Sequence, residues 1–185
     1  MIKQELRACI DRLMVDRALI LLAIDGDAAA GKSTLAAELK QAYDCNVIHM
    51  DHFFLRPEQR TEVRLAEPGG NVDYERFAVE VLAPLQANRV FSYRPFDCKI
   101  MEFGPEITVC PRPLTVVEGA YSLHPVFGAP YHVKVFLSVD ESEQLRRIQA
   151  RNGEIQAEQF RTRWIPMEKR YFSQFNIQAQ CDFVL

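Results

Sequence analysis

The sequence has no long hydrophobic run. The longest, Ala18 to Ile24, is far below the ~20 apolar residues that a membrane-spanning helix needs. It also has no excess of positive charge: 22 Lys and Arg against 25 Asp and Glu leave a formal net charge of −3. That balance argues against a protein built to grip nucleic acid or an anionic membrane over a broad basic face. Charges scattered from Met1 to Arg17 stand where a signal peptide would be apolar, so a soluble, cytoplasmic protein is expected. The five cysteines (Cys9, Cys45, Cys98, Cys110 and Cys181) include no C-x-x-C pair. Reduced, mostly packed thiols are expected, and a zinc site is not. Repeats, low-complexity tracts and Gly/Ser linkers are also missing, so the 185 residues, 48% of them hydrophobic, read as a single domain spanning 1–185 with its own core.

What is present is an alternation of apolar strands and amphipathic helices. Ile2, Leu6, Cys9, Ile10 and Leu13 recur at helical spacing over Ile2 to Val15. Ala18 to Asp25 is a continuous apolar strand of the kind buried on both faces. A helix over Ser33 to Tyr43 and a strand over Asn46 to Met50 follow. The polar stretch Arg56 to Asn71, with its prolines and glycines, predicts a loop too long to be a mere connector. Asp73 is placed to cap a helix running through Tyr74 to Leu82. Further strands are expected at Val90 to Tyr93, Leu114 to Val117, Val133 to Val139 and Cys181 to Leu185. Further helices are expected at Asp140 to Asn152 and Glu158 to Phe175, the latter broken or kinked at Pro166. The pattern predicts an α/β three-layer sandwich, a mainly parallel central sheet flanked by helices.

Between the first strand and the helix after it lies Gly26-Asp27-Ala28-Ala29-Ala30-Gly31-Lys32-Ser33-Thr34, which satisfies G-x-x-x-x-G-K-[ST] in the context that gives this motif its meaning. The fixed positions alone would arise in roughly one random chain of this length per hundred, and the flanking strand and helix make chance rarer still. Glycines let backbone N–H groups turn inward around an anion, and the helix N-terminus adds partial positive charge. Lys32 is expected to reach the β- and γ-phosphates, and Ser33 to offer its hydroxyl to Mg²⁺. A small-molecule kinase, a GTPase-type switch and a motor or regulatory ATPase all use such a loop. No Asn-Lys-x-Asp guanine reader occurs in the chain, and a motor would need more chain.

A kinase needs an acid near the end of the second strand and a positively charged lid, and the sequence has candidates for both. Asp51 follows the second strand, where a parallel α/β sheet opens its ligand crevice, and could orient and deprotonate an acceptor hydroxyl. Glu118 closes the strand Leu114 to Val117 and would emerge beside the metal. From Arg146 to Arg170 the chain carries seven basic residues against Glu154, Glu158 and Glu168. Arg147 and Arg151 are four apart on one helical face, so both could point at the phosphates.

Together, Gly26 to Ser33, Asp51-His52-Phe53-Phe54, Asn71-Val72-Asp73, Glu118-Gly119 and the arginines from Arg147 onward resemble the uridine kinase family. These are the phosphoribulokinase/uridine kinase-like P-loop kinases, which include nicotinamide riboside kinases. The resemblance covers most of the chain and implies transfer of the ATP γ-phosphate, with Mg²⁺, to a ribose 5′-hydroxyl. It implies that Asp51 is the general base, Asp73 holds ribose hydroxyls, Glu118 lies near the metal, and Arg147 or Arg151 is a lid arginine. Tyr93, Arg94 and Phe96 fall where relatives recognise the base. His52 stands where relatives carry a smaller Asp or Ser, so its bulk and charge bear on the acceptor site. The expected partner is a nucleoside-like small molecule, with homo-oligomerisation left open. The alternatives are a kinase of another small alcohol, such as nicotinamide riboside or pantothenate, and a non-catalytic or regulatory nucleotide-binding ATPase.

Overall fold

The computed structural model describes residues 2–185. Nine strands occur among them: β1 (Ile20–Gly26), β2 (Cys45–His49), the short β3 (Phe91–Tyr93), β4 (Phe96–Asp97), β5 (Glu102–Phe103) and β6 (Ile107–Val109), then β7 (Leu114–Glu118), β8 (Val133–Leu137) and β9 (Phe183–Val184). Five of them form one sheet in the order β2-β7-β1-β8-β9, and every pairing in it is parallel. Its strands are apolar on both faces because both are covered. Ile20, Leu22 and Ile24, with Val116 and Val135, face the helices Gln4–Asp16 and Lys32–Ala42 through Leu6, Ile10, Leu35 and Leu39. The alternate residues Leu21 and Ala23, with Ile48, Val117 and Phe136, face a second core holding Phe53, Phe77, Val81 and Tyr171. The expected three layers and parallel sheet are thus present.

Register brings the carboxyl ends of the strands level, His49 beside Glu118 and Gly26 beside Leu137. Gly26 is required there: its φ is +131°, and a Cβ would lie 2.0 Å from the Leu137 carbonyl oxygen. The crevice of such a sheet opens along this edge.

Several local expectations differ from the structure. The stretch from Arg56 to Asn71 is not an open loop: it holds a 3₁₀ turn, Pro57–Gln59, and a short helix, Glu62–Ala66, capped by the Thr61 hydroxyl accepting from the Arg64 N–H. Val90 to Tyr93 contributes β3 to a separate antiparallel pair with β6, and β4 pairs with β5, so this region is an appendage rather than part of the main sheet. The helix expected over Glu158 to Phe175 starts earlier and runs unbroken through Pro166. It runs as Glu154–Gln159, a π-helical stretch Phe160–Trp164, and Ile165–Gln174. Proline follows the widened turn at the start of the last segment, where its missing N–H and its ring bulk are tolerated.

Candidate active site

The phosphate loop leaves β1 at Gly26 and enters the helix Lys32–Ala42 through Gly31 at φ +104°, with Ala29 also left-handed at φ +59°. No side chain caps this helix, so its first N–H groups are left for an anion. Lys32 bends back over the loop, its Nζ donating to the Gly26 carbonyl at 2.7 Å and to the Asp27 carbonyl at 2.8 Å.

Opposite the loop, Ser33 Oγ donates to Glu118 Oε1 at 3.1 Å, and His49 Nδ1 lies 2.5 Å from the same oxygen. That contact raises the His49 pKa against the opposing effect of burial. Ser33 and Glu118 therefore place two oxygens side by side, a donor set suited to Mg²⁺, which prefers oxygen and keeps most of its shell for water and phosphate. No group of three or more His, Cys, Asp or Glu among the described residues converges to hold a metal unaided. A metal here would depend on nucleotide oxygens.

Asp51 lies in the 3₁₀ turn Met50–Phe53 directly after β2. Gly119, at φ +133°, lets the end of β7 pass close by, since a Cβ on it would meet the Met50 Cβ at 2.9 Å. The Asp51 carboxyl opens onto the cleft yet is crowded by protein. This desolvation, with the Glu118 carboxylate, raises its pKa against the pull of Lys32, His49 and Arg151. A raised pKa suits a group that takes up a proton. His52 points elsewhere, its Nδ1 3.1 Å from the Tyr93 hydroxyl. Burial and its cationic neighbours depress its pKa to about 4, so it adds bulk but no charge at neutral pH.

These groups line one cleft of about 330 Å³, with Ala28, Ala29, Gly31, Lys32, Ser33, Thr34, Asp51 and Glu118 on its floor and Arg147 and Arg151 on its lid side. Of the basic run, these two arginines reach the cleft, Arg147 while also pairing with Glu143 at 2.7 Å. Arg146 pairs with Glu143, Arg161 with Glu158, and Lys169 with Glu141 on exposed faces. Arg163 stacks on Trp164.

The residues expected to hold the acceptor are not drawn together in this way. Asp73 is buried and caps the helix that begins at Tyr74: Oδ1 accepts from the Arg76 N–H at 3.0 Å and Oδ2 from Gln59 at 2.8 Å. Its own N–H donates to the Phe53 carbonyl at 2.7 Å, so its backbone runs beside the Asp51 turn. Tyr93 is buried against Phe53. Arg94 and Phe96 line a separate open depression with Arg56 and Phe103.

His49 lies outside the cleft lining but meets Glu118, and its place two before Asp51 at the strand end makes it findable by alternation. Two lining residues escape a reading of local pattern. Glu168 and Phe160 carry no local signal, because only the tertiary fold returns the helix through Pro166 to the loop.

The protein has the fold of uridine kinase-like P-loop kinases. It superposes on a possible uridine kinase from Bacillus stearothermophilus with a TM-score of 0.70 at 20% identity, over 98% of this chain and 100% of that one. A fructose transport system kinase assigned in Silicibacter sp. TM1040 gives a TM-score of 0.73 at 20% identity, over 97% of each chain. D-glycerate 3-kinase from Cryptococcus neoformans gives 0.65 at 13% identity, over 89% of this chain and 86% of that one. No protein-family model matches the sequence. No helix among the described residues is long and apolar enough to cross a membrane.

Proposed function

We propose that this protein is an ATP- and Mg²⁺-dependent phosphotransferase that moves the γ-phosphate to a hydroxyl of a nucleoside-like small molecule in the cytoplasm. The observation that carries the reading is convergence: the phosphate loop, Lys32, Ser33, Glu118, Asp51, Arg147 and Arg151 line one cleft. Backbone N–H groups of Ala29 and of Gly31 to Thr34, with Lys32, would hold the phosphates, and Ser33 and Glu118 would hold Mg²⁺, which when bound neutralises charge on the phosphate oxygens. Asp51 orients the acceptor hydroxyl and receives its proton. Arg147 and Arg151 stabilise the charge spread over the transferring group. Asp73, Tyr93, Arg94 and Phe96 are proposed to select the acceptor from the flank beyond Asp51, a reading supported by the contacts of Asp73 and Tyr93 with Phe53 of the Asp51 turn.

The dispersal of those four residues favours a second reading for the acceptor alone, a smaller alcohol held close to Asp51. The test is ADP production with and without a panel of alcohols: uridine, cytidine, nicotinamide riboside, pantothenate and glycerate. ADP release that depends on a nucleoside supports the first reading, and release that depends on another member supports the second. Slow release independent of all of them makes the protein an ATPase. Nucleotide binding without release makes it a binding module.

A further inference from the structure

The phosphate loop of this protein carries Ala28, Ala29 and Ala30 between its glycines, and their methyl groups are used. Ala28 packs with Ile148 and Ile165, and Ala29, Leu145, Ala157 and Phe160 close around them, a small apolar cluster joining the loop to both lid helices. The Ala28 peptide is also held on both sides by side chains from those helices. Its N–H donates to Glu168 Oε2 at 3.0 Å, and its carbonyl accepts from Gln144 Nε2 at 3.1 Å. One residue along, the Ala29 carbonyl accepts from Arg147 Nη1 at 3.1 Å. Glu168 and Gln144 are both buried.

We propose that Glu168 is a positioning residue: by gripping the Ala28 N–H it makes the phosphate loop and the lid one unit, so the loop's shape and the placement of Arg147 and Arg151 are set together. The inference rests on the reading of the loop as a nucleotide site. A packed contact alone would need no acid, and burying a carboxyl beside Asp25 and Asp27 is costly. Those two acids, with Lys32 from the loop helix, are the charges facing it, and burial with the neighbouring acids raises its pKa to about 7. Tyr121 also lies within its field. The carboxyl thus bears its burial cost where it accepts from the loop peptide.

The single tryptophan, Trp164, sits in the π-helical stretch of the lid and reports the lid directly. The experiment titrates Mg·ADP into the wild type, Glu168→Ala, Glu168→Gln and Gln144→Leu, reading affinity by calorimetry and the lid by Trp164 fluorescence, with circular dichroism verifying the fold. Loss of the hydrogen bond that holds the buried Ala28 N–H predicts about tenfold weaker ADP binding in Glu168→Ala and a smaller Trp164 response. Glu168→Gln, which still presents an oxygen to the Ala28 N–H, is expected to restore both. Gln144→Leu, the milder break, is expected to weaken binding about threefold, and it keeps the question open to experiment if Glu168→Ala does not fold. Folded Glu168→Ala, or Gln144→Leu in its place, that binds ADP as the wild type does overturns the proposal, as does failure of Glu168→Gln to rescue. A wild type that binds no ADP overturns the nucleotide reading instead, a result separate from these.

Discussion

The phosphate end of the cleft and the flank beyond Asp51 are held by different means. At the phosphate end, backbone sets the positions: Gly26 lies against the Leu137 carbonyl and Gly119 against Met50, and parallel register brings His49 level with Glu118. On the flank, Tyr93 and Phe96 hang on ladders of three and two residue pairs, and Asp73 is held by its own helix and by Gln59. A parallel sheet buried on both faces leaves its strand ends little latitude, whereas a two-stranded ribbon is marginal without support. The phosphate end, or donor half, is thus set by the main sheet, whereas the flank, though Asp73, Tyr93 and Phe96 are buried, is set by short ladders and a helix cap. Substitutions at the donor half should change chemistry or stability sharply, and those on the flank should change selectivity mildly.

Asp51 stands at the junction and gives the largest test of this contrast. Asp51→Asn keeps the shape and removes the proposed base, so turnover with whichever acceptor responds should fall by about 10²- to 10⁴-fold. ADP affinity, measured by calorimetry, should stay within about twofold, since no loop contact is lost. Unchanged turnover would move the base onto the flank and dissolve the division between the halves.

Next in size is a pH effect confined to the donor half. Glu168 has a folded pKa of about 7 because burial opposes its charge, and an unfolded value near 4.3. Its proton favours the folded state, so below the unfolded pKa there is no penalty. As pH rises from about 4.3 through 7, ionising the buried group costs up to about 4 kcal/mol of stability. His52, depressed to about 4, acts in the opposite sense between pH 4 and 6.5, so the comparison must be with Glu168→Gln rather than across pH alone. Denaturant melts at about pH 5 and pH 8 should show the wild type losing more stability than Glu168→Gln. Equal losses in the two proteins would remove the burial of a titrating acid from the donor half.

The same division decided what could be read from the sequence. The strand before the loop, the loop, and the acids at Asp51 and Glu118 were legible because each follows from local pattern: an apolar run, a fixed spacing, a carboxylate at a strand end. Asp73 was legible as a helix cap for the same reason. The return of Glu168 and Gln144 to the Ala28 peptide was not, because it depends on packing across more than a hundred residues and leaves no periodicity. The helical content of Arg56 to Asn71 was hidden by prolines and glycines that suggested a loop. The small strands β4 and β5 have two residues each, too short for alternation to show. Among the seven basic residues from Arg146 to Arg170, composition marked the region, and only the fold shows which of them line the cleft.

That sorting yields a smaller prediction. Arg147 reaches the loop carbonyl of Ala29 and lines the cleft, while Arg161 is spent on Glu158 at the surface. Arg147→Ala should lower kcat by about tenfold through lost charge stabilisation, and Arg161→Ala should leave kcat within about twofold. Equal effects would mean that the lid acts through its general charge rather than through residues facing the cleft.

The smallest effect falls on the flank, at Asp73, and it separates two jobs that one carboxylate can do. As a helix cap, Asp73 accepts from the Arg76 N–H, a task that Asn performs equally well, so Asp73→Asn, which loses only the bond from Gln59, should lower the melting temperature less than Asp73→Ala, whose lost cap costs about 1 kcal/mol. As a partner for acceptor hydroxyls, the carboxylate is the stronger acceptor of the two, and Asp73→Asn should raise the acceptor KM a few-fold with kcat and ADP affinity held. Gln59 competes for the same oxygen at 2.8 Å, so Gln59→Ala should free it and move the KM in the opposite direction. If Asp73→Asn leaves the KM untouched, Asp73 is a cap alone, the acceptor lies nearer Asp51, and the flank contributes shape rather than hydrogen bonds to its choice.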